Sequence, residues 1–324
     1  MITGAAGFVG SHVLAHLLEA WPEAEFVCLD RLDSSGTMER VKVLCNEDDL
    51  RDRVTFIWHD LKAEINGHVR QKIGHVTHVL HLAASSHVDR SIADPLSFVM
   101  DNVVGTCNLL RWAHWGNPPV KTLYFSTDEV FGSAPHGIAY KEWDRYNSGN
   151  PYAASKAGAE ELALAFHNTY RLPLIITHTM NVFGPAQHEE KFIPLVIEKT
   201  ITGEKINIHS DPTRTFAGSR FYIHAREVAR ALQMLIERDI WDGEKYNIVG
   251  SEEIDNEELV KRIGGILGLD ATYELTDFHS SRPGHDLRYA LDGTKMREIG
   301  FTPTPLQDQL KDTVKWYLKN RPRP

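Results

Sequence analysis

Short apolar runs and amphipathic stretches take turns along this chain, and that alternation limits the folds open to it more than any single residue does. "EFVCLD", "THVLHLAA", "KTLYFST" and "LPLIITHT" read as buried strands, while 10–20, 96–113 and 152–170 carry helical periodicity. Strand and helix in repetition build βαβ units around a parallel sheet, so an α/β fold is expected. A chain of 324 residues exceeds one small domain, and two lobes are expected. Residues 1–180, with returning segments near 220–250, are assigned to the first lobe. After Asn181 the texture turns richer in Gly, Pro and polar residues, as in "NVFGPAQHEEKFIPLVI" and "SDPTRTFAGSRFYI". Residues 181–324 are therefore expected to form mainly a smaller, discontinuous lobe interleaved with the end of the first. A final helix at 306–319 would pack through Leu306, Leu310, Val314 and Leu318.

Composition removes several function classes. Lys plus Arg number 35 against 44 Asp plus Glu, a formal charge of -9, and the basic residues are scattered. Nonspecific nucleic-acid binding does not suit that balance. Cys28, Cys45 and Cys107 are far apart and odd in number, which fits small buried side chains in a reducing compartment and neither a disulfide framework nor a zinc cluster. No apolar run approaches the roughly 20 residues needed to span a bilayer, and the start lacks a signal pattern. A cytoplasmic protein is expected.

In "MITGAAGFVGSH", Gly4, Gly7 and Gly10 recur every third residue between a short strand and a helix that begins near Gly10. Glycines there permit a tight turn and close backbone approach to a pyrophosphate seated on the helix N-terminus. Such glycines also occur in ordinary strand-to-helix turns; the spacing downstream decides against that. Asp30 closes the run "VCLDR" roughly 20 residues beyond the last glycine, where a carboxylate accepts ribose hydroxyls. A Rossmann-like, doubly wound sheet follows, with NAD favoured over NADP. Arg31 is the counterweight, since an adjacent guanidinium tolerates a 2′-phosphate. Only Met1 to Thr3 precede the loop, so a very short first strand is expected.

Two further constellations carry chemistry. "NPYAASKAGAEEL" sets Tyr152 and Lys156 one helical turn apart on one face. A phenol beside an ammonium ionises more easily, so Tyr152 can act as a base with Lys156 stabilising the phenolate. A surface Tyr and Lys on an amphipathic helix is the bland alternative. "YFSTDEVFG" ends a strand in Thr127, Asp128 and Glu129. Two neighbouring carboxylates are either a solvated turn or a pair held for proton chemistry, and the chain must twist there for both to face one site.

With the glycine loop and Tyr-x-x-x-Lys, the chain resembles the extended short-chain dehydrogenase/reductase family. Its segments "HLAASSHVDRSI", "FSTDEVFG", "NVFGPAQHEEKFIPLVI", "SRFYI", "YNIVG" and "RPGHDLRYALD" are most similar to nucleotide-sugar 4,6-dehydratases, and the likeness runs through nearly the whole chain. "STDEV" discriminates, because epimerases and decarboxylases of the family lack this Asp-Glu pair in these roles. The resemblance implies an NAD-dependent hydro-lyase that converts dTDP-glucose or UDP-glucose to its 4-keto-6-deoxy sugar. It implies Thr127, Asp128, Glu129, Tyr152 and Lys156 as catalytic residues. Gly4, Gly7, Phe8, Val9, Gly10, Asp30, Arg31, Asp60, Leu61, Leu82, Ala83, Ala84, Tyr152 and Lys156 would hold NAD. Ser86, Asn181, Lys191, Arg220, Asn256, Arg282 and His285 would surround the nucleotide sugar, with Arg220 and Arg282 forking donors to its diphosphate. A homodimer through the helices at 96–113 and 152–170 is also implied.

Departures from the family pattern keep other readings open. Ser85 stands where Glu or Gln is usual, shortening a polar side chain near nicotinamide and sugar. Phe183 replaces the usual Tyr, the segment 211–219 is a few residues longer, and His224 and Arg226 stand for an aromatic and an acid. A 4-epimerase, a dehydratase of altered regiochemistry or a catalytically silent NAD-binding scaffold are the alternatives. His75, His78, His81 and His87 have no ligand spacing, so no metal is expected. Glu47 to Asp52 reads as a solvated acidic surface.

Overall fold

A computed structural model describes residues 1–33, 35–115, 119–277 and 287–321. Seven strands make the main sheet: β1 (Ile2–Thr3), β2 (Phe26–Asp30), β3 (Val54–Trp58), β4 (His78–His81), β5 (Lys121–Thr127), β6 (Leu174–Thr179) and β10 (Asp242–Ile248). Their order is β10-β6-β5-β4-β1-β2-β3, and every pair is parallel. The four apolar runs read from the sequence are β2, β4, β5 and β6. Helices cover both faces. One core packs Val13, Leu14 and Leu17 of the Phe8–Ala20 helix and Leu232 of the Ala225–Arg238 helix against the sheet. The other packs Leu109, Leu110 and Ala159 against the opposite face. The order in which strands are added reverses between β1 and β4, the crevice where doubly wound sheets bind ligands.

The later residues form two small sheets, β7 (Asn181–Phe183) with β9 (Ser219–His224) and β11 (Glu253–Asp255), and β8 (Ile206–Ser210) with β12 (Tyr273–Asp277). Their core gathers Phe183, Ile193, Ile208, Leu259, Leu306, Leu310 and Val314. The last helix runs Leu306–Asn320. Leu318 is 52% exposed and does not join its packing face. A spacing of four advances slightly more than one turn of 3.6 residues, so each step drifts about 40° and the fourth position has left the stripe. Cys28 and Cys45 are buried as expected, but Cys107 is only half-buried. Among the described residues no helix is long and apolar enough to cross a membrane. Glu47–Arg53 is a helix with no buried residue.

The long Pro151–Tyr170 helix is held by a buried ionic cluster. Glu160 is 0% exposed and meets His178 of β6 and Lys245 of β10, each at 3.0 Å. Tyr146 donates to the same carboxylate, and His178 Nδ1 meets Asn247 Oδ1 at 3.0 Å. Burial opposes ionisation of Glu160, yet His178, Lys245 and Tyr146 together hold its carboxyl below the ordinary range. Removing one partner strands the others in the core, a loss of about 3–5 kcal/mol for buried pairs. Glu160→Ala is therefore expected to lower the unfolding free energy at neutral pH by that much, read from a lowered denaturant midpoint. A carboxyl depressed on folding stabilises above its unfolded pKa of about 4.3, so the deficit should shrink as pH falls toward the folded value. An unchanged midpoint would show that the cluster contributes no net stability.

Candidate active site

Gly4 has φ +70°, and a Cβ on it would lie 2.7 Å from the backbone of Ala83. A Cβ on Gly10 would lie 2.1 Å from the Gly4 carbonyl oxygen. The loop is therefore closed by backbone against backbone, which only glycine allows. The helix starts at Phe8, two residues earlier than the spacing suggested, with Gly7 as its N-cap. No side chain caps it and no acid sits in its first turn, so its leading N–H groups are left for an anionic partner. Val9 turns into the adjoining core.

A cleft at the crossover is lined by Gly4, Gly7, Asp30, Arg31, Asp60, Leu61, Leu82, Ala83 and Ala84, all singled out in the sequence. Asp30 ends β2, where its Oδ2 accepts from Ala6 N and its Oδ1 from Leu32 N, both at 2.9 Å. Arg31 donates to Asp33 at 2.6 Å and Asp101 at 2.8 Å, and Asp60 stands 3.9 Å away. Two carboxylates already hold the guanidinium and Asp60 stands beside it, so its charge is compensated within the cleft. His59, in the cleft wall, buries Nε2 without a hydrogen-bond partner among the described residues. The glycine cradle, the uncapped helix, the acid that closes β2 and the orphaned imidazole nitrogen fit a dinucleotide.

Beyond the cleft, β5 delivers Thr127 and the chain turns into a short 3-10 segment, Asp128–Phe131. This is the twist required for two adjacent acids. The Thr127 hydroxyl donates to Asp128 Oδ1 at 2.9 Å and accepts from Glu129 N at 3.4 Å. Tyr152 is hydrogen-bonded to the same hydroxyl. Asp128 Oδ2 is buried with no hydrogen-bond partner among the described residues. Burial, then the neighbouring Glu129 charge, pushes the Asp128 carboxyl up to about 7, against the pull of Thr127 and Arg220.

One expectation is overturned. Lys156 was to ease ionisation of Tyr152, but burial, with Glu129 and Asp128 facing the ring, pushes the phenol up. Burial also brings the Lys156 ammonium down to about 7, opposed by Glu160. Its Nζ donates to the Phe125 carbonyl at 2.7 Å and lies 4.3 Å from the centre of the Tyr124 ring. Burial and the two acids favour the neutral phenol here, and Lys156 is not among the groups that shift it.

The residues expected around the sugar nucleotide are less uniformly gathered. Arg220 faces Asp128 and stacks on Tyr289 at 4.6 Å. Asn256 accepts from the Tyr222 hydroxyl at 2.7 Å. Asn181 and Lys191 are exposed, on β7 and at the start of the Phe192–Thr202 helix, and Ser86 is exposed beyond β4. Arg282 and His285 lie outside the described residues. Ser85 donates to Asp101 at 2.6 Å, so its hydroxyl is tied into the Arg31 cluster and not turned to a sugar. Of the histidines, His81 bridges Thr3 at 2.7 Å and Thr106 at 2.9 Å, and among the described residues no group of three or more His, Cys, Asp or Glu could hold a metal.

Sequence reasoning missed Asp101 and Asn102, in a π-turn, Val99–Val104, that interrupts the helical run expected over 96–113. Asn102 accepts from Ser85 N at 2.8 Å and donates to Ser85 O at 2.9 Å and Ser155 Oγ at 2.8 Å. It thereby joins the cleft to the helix carrying Tyr152. Two adjacent polar residues inside an apolar helical run were the available signal.

A family model described as GDP-mannose 4,6 dehydratase matches residues 1–313. The dTDP-glucose 4,6-dehydratase of Neisseria gonorrhoeae is 35% identical across 100% of this chain and 96% of its own length. A crystal structure of dTDP-glucose 4,6-dehydratase from Streptomyces venezuelae with NAD bound is 36% identical, with a TM-score of 0.87 over 99% of this chain and 97% of that one. The UDP-glucose 4-epimerase of Thermus thermophilus, in complex with NAD, reaches a TM-score of 0.85 at 26% identity over 98% of each chain. By full-length sequence and fold together, the chain belongs to the nucleotide-sugar 4,6-dehydratase family of extended short-chain dehydrogenases/reductases.

Proposed function

We propose that this protein is an NAD-dependent nucleotide-sugar 4,6-dehydratase that removes water from dTDP-glucose, or from UDP-glucose, to leave the 4-keto-6-deoxy sugar. The observation that carries this reading is the buried, unpartnered Asp128 Oδ2 beside Glu129 and Tyr152. A carboxyl raised to about 7 keeps a proton to give near neutrality, and elimination needs such a donor beside an acceptor. The likeness to a 4-epimerase fold is almost as high, so fold alone does not select the reaction. The Asp128–Glu129 pair does.

NAD+ held in the cleft by Gly4, Gly7, Gly10 and Asp30 would supply the hydride chemistry, accepting from the sugar C4 and returning to C6. Tyr152, in its ionised form, takes the proton of the sugar 4-hydroxyl, with Thr127 sharing its hydrogen bond and Lys156 one turn along the same helix. The resulting ketone acidifies C5–H, Glu129 takes that proton, and Asp128 protonates the departing 6-hydroxyl as water. Glu129 then returns a proton to C5. Gly4, Gly7, Gly10 and Asp30 bind the dinucleotide, with Asp60, Leu61, Leu82, Ala83 and Ala84 as the wall of its cleft; Arg220, Asn256, Asn181 and Lys191 bind the nucleoside diphosphate. The seven-stranded unit thus serves the cofactor and the smaller sheets the sugar nucleotide.

A homodimer is part of the reading. Ile92, Leu96, Val99 and Met100 are exposed apolar side chains on one stretch beside the Pro151–Tyr170 helix, with Leu96 68% exposed. A contiguous apolar strip of that kind favours a symmetric helical interface. Leu96→Glu should shift the sedimenting species from two chains to one; a wild type that already sediments as one chain would remove the dimer from the proposal.

Incubating the holoenzyme with each sugar nucleotide and following mass should reveal loss of one water from one of the two. No loss from either, with NAD bound, would sink the assignment. Asp128→Asn should lower kcat by about 10²–10⁴-fold, the usual worth of a general acid. In the wild type, kcat/KM should fall as pH rises through about 7, because Asp128 and Lys156 both lose protons there. Asp128→Asn should make that limb shallower by one proton; a limb of unchanged steepness would assign the proton donor elsewhere.

A further inference from the structure

Asn150 precedes the Pro151–Tyr170 helix and is 6% exposed. Its side chain faces two ways. Oδ1 accepts from Ala153 N at 2.8 Å, capping the helix, and Nδ2 donates to Glu129 Oε2 at 3.0 Å. A donor on one side and an acceptor on the other fix which way the amide points. Among the strong N-cap residues, Ser and Thr are shorter and have one oxygen for both tasks, and Asp has no donor. Asn alone offers an acceptor and a donor on separate atoms at that reach.

Glu129 needs such a tether. Its backbone is set by the 3-10 turn, but three side-chain torsions separate the carboxylate from that turn, and Asp128 is its immediate neighbour. Asn150 restrains it without adding a titrating group. Tyr152 is two residues further along the same helix, so one side chain sets both the phenol and the Glu129 carboxylate.

We infer that Asn150 is a positioning residue for the elimination step, holding the Glu129 carboxylate in register with Tyr152. This rests on the reading of Glu129 as the C5 base. The inference concerns the second half of the reaction only: cofactor reduction needs Tyr152 and the helix, while C5 proton removal needs the Glu129 tether.

Asn150→Ser and Asn150→Asp both keep a strong helix cap, and Asn150→Ala removes cap and tether together. The holoenzymes would be mixed with substrate in D2O, following reduced-cofactor absorbance, deuterium entry at C5 and water loss, with Tm measured for each. In the Ser and Asp variants reduced cofactor should form at the wild-type rate and accumulate. C5 exchange and water loss should slow by about tenfold to a hundredfold, the worth of a hydrogen bond to a charged group, and more in the Asp variant, whose carboxylate faces Glu129. Wild-type exchange and water loss in both capped variants would overturn the inference. Equal slowing of both half-reactions with a lowered Tm would overturn it too, leaving Asn150 a cap. If the wild type reduces its cofactor but loses no water, the dehydratase reading fails first.

Discussion

A carboxylate with no access to water, Glu160, is the anchor on which the reactive side chains depend. Tyr152, Lys156 and Glu160 recur every four residues on one helix, and all three are buried. A stripe of three polar groups cannot be driven into a core by the hydrophobic effect; each must find a partner there. Glu160 finds His178 and Lys245 on two neighbouring strands, which fixes the helix in rotation and height over the sheet. Lys156 then meets the Phe125 carbonyl, and Tyr152 meets Thr127. The desolvation that would be a liability for any one group becomes a set of positional constraints when the partners sit on different elements.

That burial also sets the protonation pattern. Asp128 is raised by burial and by Glu129, Tyr152 is raised by burial and by both acids, and Lys156 is lowered by burial. These three groups are pushed toward their neutral forms, whereas Glu160, paired with His178 and Lys245, is not. A site that is neutral by desolvation responds strongly to any charge brought into it, because little water is present to screen the change. Arg220, facing Asp128 from the start of β9, is such a charge already in place, and it moderates the rise without reversing it.

Much of this was legible in the chain. Backbone-dictated features read well: the glycine spacing, the acid ending β2, the strand runs and the one-turn spacing of Tyr152 and Lys156 follow from local geometry. What failed to read depends on side chains that meet only after folding. Asn102 reaches Ser85 through a π-turn that apolar periodicity hides. Asn150 was not singled out in the sequence, and its bond to Glu129 joins residues 21 apart. The Tyr-Lys electrostatics were misjudged because a pairwise rule ignores desolvation, which is the larger effect at full burial.

The departures from the family pattern divide in the same physical terms. Phe183 is almost wholly buried and packs edge-on against His224 at 5.4 Å and Tyr222 at 6.4 Å, so a hydroxyl there would need a partner inside an aromatic cluster. His224 caps the Ala225–Arg238 helix by accepting from Arg226 N at 3.1 Å, and a Cβ on Gly184 would approach its Nε2 to 3.0 Å. Phe183, Gly184 and His224 are one co-packed unit, a repacking of the core beside the cofactor helix through His12. The longer 211–219 segment is different in kind. Asp211 accepts from Thr215 N at 2.7 Å and Phe216 N at 2.8 Å, which folds this segment into a tight turn and leaves Phe216 71% exposed. A segment that satisfies its own backbone in this way forms a self-contained turn between β8 and β9 at the rim of the smaller unit.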